Sequence, residues 1–141
     1  MRVLRRGRAA VVVLGLLLAG CSGSQGDGLR TYPVRGSVFV GDKPAAGARV
    51  QLNARGDLKL VGLCPHATVE PDGSFRLTTY RTGDGAPAGT YALTVTWPLP
   101  PRPGQEEGPD RFRGRYADPR RPLREVQITA GENALGVIHL N

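Results

Sequence analysis

The sequence predicts an all-β domain, a β-sandwich of about seven short strands, and three observations carry that expectation. Gly and Pro number 20 and 12 in 141 residues, too much punctuation for a bundle of helices. Apolar residues recur at every second position in segment after segment, while no window of comparable length shows the helical period. Turn residues return at intervals of about 8–12 residues, the spacing of sandwich strands.

The segments follow in order. Tyr32 to Val40 sets Val34, Val38 and Val40 on one face and Arg35 and Ser37 on the other, and Gly41-Asp42-Lys43-Pro44 ends it. Ala48 to Ala54 alternates Ala48, Val50 and Leu52 against Arg49, Gln51 and Asn53. After an irregular stretch, Ala67 and Val69 alternate with His66, Thr68 and Glu70. Pro71-Asp72-Gly73-Ser74 is a turn, because Pro presets φ and Gly accepts a positive one. Phe75, Leu77 and Thr79 then oppose Arg76 and Thr78. Thr90 to Trp97 is the clearest strand, with Tyr91, Leu93, Val95 and Trp97 directed inward and Ala92, Thr94 and Thr96 outward. Val126 and Ile128 continue the pattern, and Leu135 to Leu140 is apolar on both faces, as a central strand is. Gly36 inside a strand marks a close backbone approach. The Pro-rich stretch from Pro98 to Pro109 is expected outside the sheets, since Pro cannot donate to a ladder.

The N-terminus carries a different message. Arg2, Arg5, Arg6 and Arg8 precede Ala9 to Ala19, eleven uncharged residues. A basic start, a short apolar run and a small-residue exit describe a secretory signal peptide, too short to span a bilayer. Removing those four arginines lowers the formal charge from +7 to +3, so the basicity is no argument for a nucleic-acid partner. Leu18-Ala19-Gly20-Cys21 resembles the lipobox of bacterial lipoproteins, which implies that Cys21 is the lipid-attachment residue and the mature N-terminus. The expected organisation is a signal peptide over residues 1–20, the lipidated Cys and a flexible tether over 21–31, and one domain over 32–141. The tether's Ser22 to Thr31, SGSQGDGLRT, is small, polar and Gly-rich.

Within the domain, YPVRGSVFVGDKPAAGARVQL resembles the opening hairpin of the transthyretin-like, carboxypeptidase-regulatory-like family. VEPDGSFRLTTYRTGDGAPAGTYALTVTW is similar to that family's second half, and RYADPRRPLREVQITAGEN to the closing segment of small bacterial lipoproteins of this type. The resemblance spans Tyr32 to Leu140 and implies a seven-stranded Greek-key sandwich serving as a non-catalytic accessory or binding module. The catalytic signatures of related sandwiches do not occur in this sequence. There is no Tyr-Arg-Gly-Ser tetrapeptide, no His-x-His pair, no His-x-x-Glu zinc motif and no Gly-x-Ser-x-Gly.

The residues that remain define the candidate chemistry. Cys64-Pro65-His66 with His139 offers too few ligands for structural zinc, so no metal and no cofactor are expected, and Cys64 reads as a free thiol. Arg111, Arg113 and Arg115, alternating with Phe112, Gly114 and Tyr116, predict a basic edge able to bind an anionic polymer or lipid. Set against this is a solvated edge strand whose charge opposes aggregation. Among the aromatics, Tyr91 and Trp97 share a face with Leu93 and Val95 and read as core, leaving Tyr80 as the exposed ring. The functional expectation is a lipid-anchored, exported, non-enzymatic module of the cell envelope. Its partners are the membrane, through the N-terminal lipid, and an envelope protein or polysaccharide, with no nucleic acid. The alternatives are a carbohydrate-binding module with aromatics lined up in a groove, and a small hydrolase with a polar cleft around His66 or His139.

Overall fold

The computed structural model describes residues 28–141; the expected signal peptide, Cys21 and most of the expected tether lie outside them. Ten strands run in chain order: β1 Thr31–Tyr32, β2 Val34–Val40, β3 Lys43–Pro44, β4 Arg49–Ala54, β5 His66–Thr68, β6 Ser74–Arg76, β7 Ala86–Pro87, β8 Gly89–Thr96, β9 Arg124–Ile128 and β10 Asn133–Leu140. Among the described residues the one helical element is a single 3₁₀ turn, Leu58–Leu60. Seven strands have three or more residues, matching the number expected; the other three are two-residue pairings.

The strands form two four-stranded sheets and a small pair. One sheet is ordered β10-β2-β3 with β6 also on β2, the second β5-β4-β8-β9, and β1 pairs β7. All pairings are antiparallel except β10 on β2. Residues of both large sheets enter one buried cluster that includes Val34, Val38, Val50, Leu52, Phe75, Leu77, Tyr91, Leu93, Val95, Ile128, Ile138 and Leu140. This is a β-sandwich, and its core is the inward set that the period-2 pattern selects. Each such side chain contributes about 1.5–3 kcal/mol relative to exposure.

Gly36 shows why the strand β2 needs a residue without a side chain. A Cβ there would stand 2.7 Å from the Phe75 ring, which crosses directly beneath on β6. Tyr91 is fully buried, its hydroxyl donates to the Pro87 carbonyl at 2.8 Å, and burial pushes its pKa up to about 12. On the surface, the Asp72 carboxylate accepts from both the backbone N–H and the hydroxyl of Ser74, which hold its pKa below the usual range.

Two expectations are corrected. First, β8 is buried on both faces: Ala92 is 0% and Thr94 5% exposed. Because β8 is flanked by β4 and β9, its small outward side chains sit low between those of the neighbouring strands, and Thr94 Oγ1 accepts from Asn53 Nδ2 at 3.0 Å. Trp97, expected buried, sits half-buried against the core, and its indole N–H donates to the Ala46 carbonyl at 2.9 Å. Second, β10 pairs only with β2 and is an edge, with Val137 53% exposed. The register shifts between Ala134 and Val137, where Gly136 adopts φ 71°. That irregularity moves the inward positions from Asn133 and Leu135 to Ile138 and Leu140, which makes the sequence look apolar on both faces. The Pro-rich segment lies outside the sheets, as expected, and closes at its base. Pro98 bridges Asp110, and Leu99 N–H donates to the Pro109 carbonyl.

Candidate functional site

The basic edge strand expected at Arg111, Arg113 and Arg115 is not a strand. Residues 111–117 form consecutive turns organised by Asp110. One carboxylate oxygen of Asp110 accepts from Trp97 N–H at 2.6 Å and the other from Gly114 N–H at 2.7 Å. Arg113 and Gly114 both take positive φ, 54° and 80°, which a strand does not allow. The three arginines are exposed, as expected, but they form no ladder. Arg111 stacks on the Trp97 ring at 4.5 Å, while Arg115 lies over Tyr116 and donates to the Asn141 carbonyl at 2.9 Å. Phe112 turns inward to meet Tyr116 edge-on at 5.1 Å. The segment is a cap on the sandwich in which Arg111 and Arg115 are held by separate neighbours.

Two concave surfaces hold the chemistry instead. The first is a groove of about 720 Å³ lined by Gly28, Leu29, Arg30, Thr31, Lys59, Val61, Leu63, Tyr80, Arg81 and Asp84. Three chain segments meet there. The N-terminal strand arrives through β1, and Leu29 N–H donates to the Tyr80 hydroxyl at 3.1 Å. The 3₁₀ turn is capped by Asp57, which accepts from Lys59 N–H, and is anchored by Leu60, 1% exposed. The loop from Thr79 to Gly85 folds around Asp84, whose two carboxylate oxygens accept the backbone N–H groups of Thr79, Tyr80 and Arg81. Tyr80 is the exposed ring that the sequence singles out, at 46%.

The second is a polar cleft of about 570 Å³ on the outer face of the β5-β4-β8 sheet. Its polar lining is Arg49, Gln51, Asn53, His66, Thr68, Thr94 and Thr96, with Ala117 and Pro119 closing one side. Among the described residues its polar lining offers hydrogen-bonding amide, hydroxyl, imidazole and guanidinium groups. His66 Nδ1 lies 3.0 Å from the Cys64 carbonyl, and Arg49 pairs with Glu107 at 2.6 Å.

The remaining residues do not assemble. Cys64 is free and exposed, and His66 and His139 belong to different sheets. Among the described residues no three His, Cys, Asp or Glu side chains group as metal ligands. The aromatics are dispersed: Tyr91 and Tyr116 are buried and Trp97 is half-covered by Phe112 and Arg111. Sequence reasoning missed Lys59 and Val61, because the stretch between β4 and β5 has no period to read. Its signal was there in the unpaired Leu58 and Val61 beside Lys59.

No protein-family model matches the chain, and no curated protein does. Among solved structures it is similar to a DUF3823 family protein from Parabacteroides merdae, with TM-score 0.42 and 16% identity over 77% of this chain and 45% of that one. It is also similar to part of a 9R-lipoxygenase from Cyanothece, with TM-score 0.40 and 12% identity over 79% of this chain and 16% of that one. The chain thus spans less than half of either neighbour.

Proposed function

We propose that this protein is a lipid-anchored, exported and non-catalytic module of the bacterial cell envelope, a transthyretin-like sandwich that engages an envelope protein or wall polymer. The observation that carries the reading is the sequence up to Cys21: four arginines, an apolar run and Leu18-Ala19-Gly20-Cys21 in register. Acyl chains on Cys21 would hold the protein durably, at about 0.8 kcal/mol per buried CH₂. Seven principal strands divided between two sheets support the family resemblance. A cleft lined by hydrogen-bonding amide, hydroxyl, imidazole and guanidinium groups supports a binding role.

The test is the Cys21→Ser variant of the full chain, expressed in a bacterium and followed by fractionation and mass spectrometry. The expected result is diacylglycerol on wild-type Cys21, and unprocessed precursor or release from the membrane in the variant. Wild-type behaviour of Cys21→Ser sinks the anchoring.

One observation favours a carbohydrate as the polymer. Gln51, Asn53, Thr68 and Thr96 bring amide and hydroxyl groups, and His66 its ring, to a single cleft, as a polyhydroxylated ligand requires. Exposed aromatics do not line it, so stacking would not contribute. Gln51→Leu with His66→Ala is expected to weaken binding to neutral wall oligosaccharides about tenfold or more, the equivalent of one or two hydrogen bonds. Failure of the wild-type protein to bind any of them in a glycan screen removes this reading.

A further inference from the structure

The groove at Tyr80 has the composition of a surface that sits on lipid. Among the described residues six large apolar side chains are exposed, and Leu29, Val61 and Tyr80 line this groove, while Leu58, 88% exposed, belongs to the same 3₁₀ turn. The remaining two, Leu99 and Val137, lie on other segments. The turn divides its side chains: Leu60 plugs into the core, and Leu58 and Val61 project away from it. Such a turn exposes two aliphatic groups that a protein in water alone has reason to bury.

The charges complete the pattern. Arg30, Lys59 and Arg81 border the apolar residues, and none of them pairs with a carboxylate among the described residues. Two acids stand beside them: exposed Asp57 accepts from Lys59 N–H, and Asp84, which lines the groove, has both carboxylate oxygens engaged by the backbone N–H groups of Thr79, Tyr80 and Arg81, so three cations face one carboxylate in the lining. Arginine and lysine rimming exposed aliphatic and tyrosine side chains is the amphipathic arrangement of interfacial binding, apolar groups at the acyl boundary and cations at the headgroups.

Position decides the occupant. Six residues lie between Cys21 and Gly28, and the seven chain steps they make reach at most about 25 Å. Gly28, Leu29 and Arg30, where the linker enters the domain, themselves line the groove. An acylated Cys21 therefore confines this end of the sandwich to the membrane surface, and the polar cleft on the β5-β4-β8 face is a separate surface. We propose that the Leu58–Val61 turn, with Tyr80, Arg30, Lys59 and Arg81, docks the domain onto the anionic phospholipid bilayer that carries its anchor. The inference rests on the lipoprotein reading and adds an orientation: the domain lies against the lipid rather than swinging free.

The test uses the full-length lipidated protein, purified in detergent and returned to vesicles of phosphatidylcholine with phosphatidylglycerol, some lipids brominated in the acyl chain. Leu58→Trp places a reporter on the turn, and wild type supplies the Trp97 background. The expected result is loss of Leu58→Trp emission to the brominated lipids beyond that of wild type. The loss is reversed in pure phosphatidylcholine and when Arg30, Lys59 and Arg81 are all changed to Gln, and it weakens with salt because surface charges are screened within about 8 Å at physiological ionic strength. These cations are exposed, so the melting temperature of the triple variant serves to show an intact fold. Vesicle-bound, diacylated protein whose Leu58→Trp emission is untouched overturns the docking alone, as does equal quenching in the triple variant. Absence of diacylglycerol on Cys21 overturns the anchoring reading and the docking with it.

Discussion

Leu93→Ala is expected to destabilise the protein by about 2–5 kcal/mol, the range for a large-to-small change in a packed core. Leu93 is 0% exposed on β8, opposite Leu52 in register and beside Arg124 of β9, in a cluster that includes Val50, Tyr91 and Val95. Neighbours held on both sides by ladder hydrogen bonds cannot collapse into the space, so the full cavity cost applies. Denaturant titration of variant and wild type measures it, and a loss under 1 kcal/mol would show that the two sheets do not close on this residue. Thr94→Ala provides the comparison. Simple alternation would make it nearly silent, but Thr94 is buried and its hydroxyl receives Asn53 Nδ2. Removing it leaves a half-buried amide short of a partner and is expected to cost about 1–3 kcal/mol.

Gly85→Ala is expected to cost about 2–4 kcal/mol, through backbone strain and lost hydrogen bonds together. Gly85 has φ 89°, and a Cβ there would lie 1.7 Å from the Tyr32 carbonyl oxygen, so the β1–β7 pair must separate. Its N–H donates to the Leu77 carbonyl at 2.9 Å and its own carbonyl accepts from the Thr79 hydroxyl at 2.6 Å, so the displacement reaches the loop that carries Tyr80. Gly83→Ala is the control: φ is 73°, but nothing stands within 4 Å of the added carbon. Strain alone acts there, about 1 kcal/mol. Equal melting temperatures for the two variants would contradict the close approach of β1 to the loop.

The elements legible in the sequence are those set by local chemistry. Alternation identified Val34, Val38, Val50, Leu52, Phe75, Leu77, Leu93 and Val95 as core because a pleated strand with one face covered leaves no other choice. Gly36 was legible because a strand needs a residue without a Cβ where another element approaches, here the Phe75 ring, and Gly73 because the turn after Asp72 needs a positive φ, which is 91°. Tyr80 was legible as the exposed ring from its place beside Arg81 and a Gly-rich loop. The arginine segment was misread because alternation at Arg111 to Tyr116 is also what a run of turns produces when Asp110 draws the backbone N–H of Gly114 onto its carboxylate. Period alone does not separate the two when Asp and Gly stand at the ends of so short a segment.

By itself the sequence determined the sandwich, its inward face and the leader-like start, because propensity, period and turn chemistry act between residues close in the chain. Tertiary structure alone decided which strands became central and which became edges, since pairing partners lie far apart in sequence. β8 is buried on both faces and β10 is left on the rim although β10 reads as the more apolar. It also decided the two candidate surfaces. Leu29, Val61 and Tyr80 meet at one groove, and Gln51, His66 and Thr96 at one cleft, only because chain crossings between sheets bring distant loops to the same end and distant strands into register. That is a long-range property, and no local pattern encodes it.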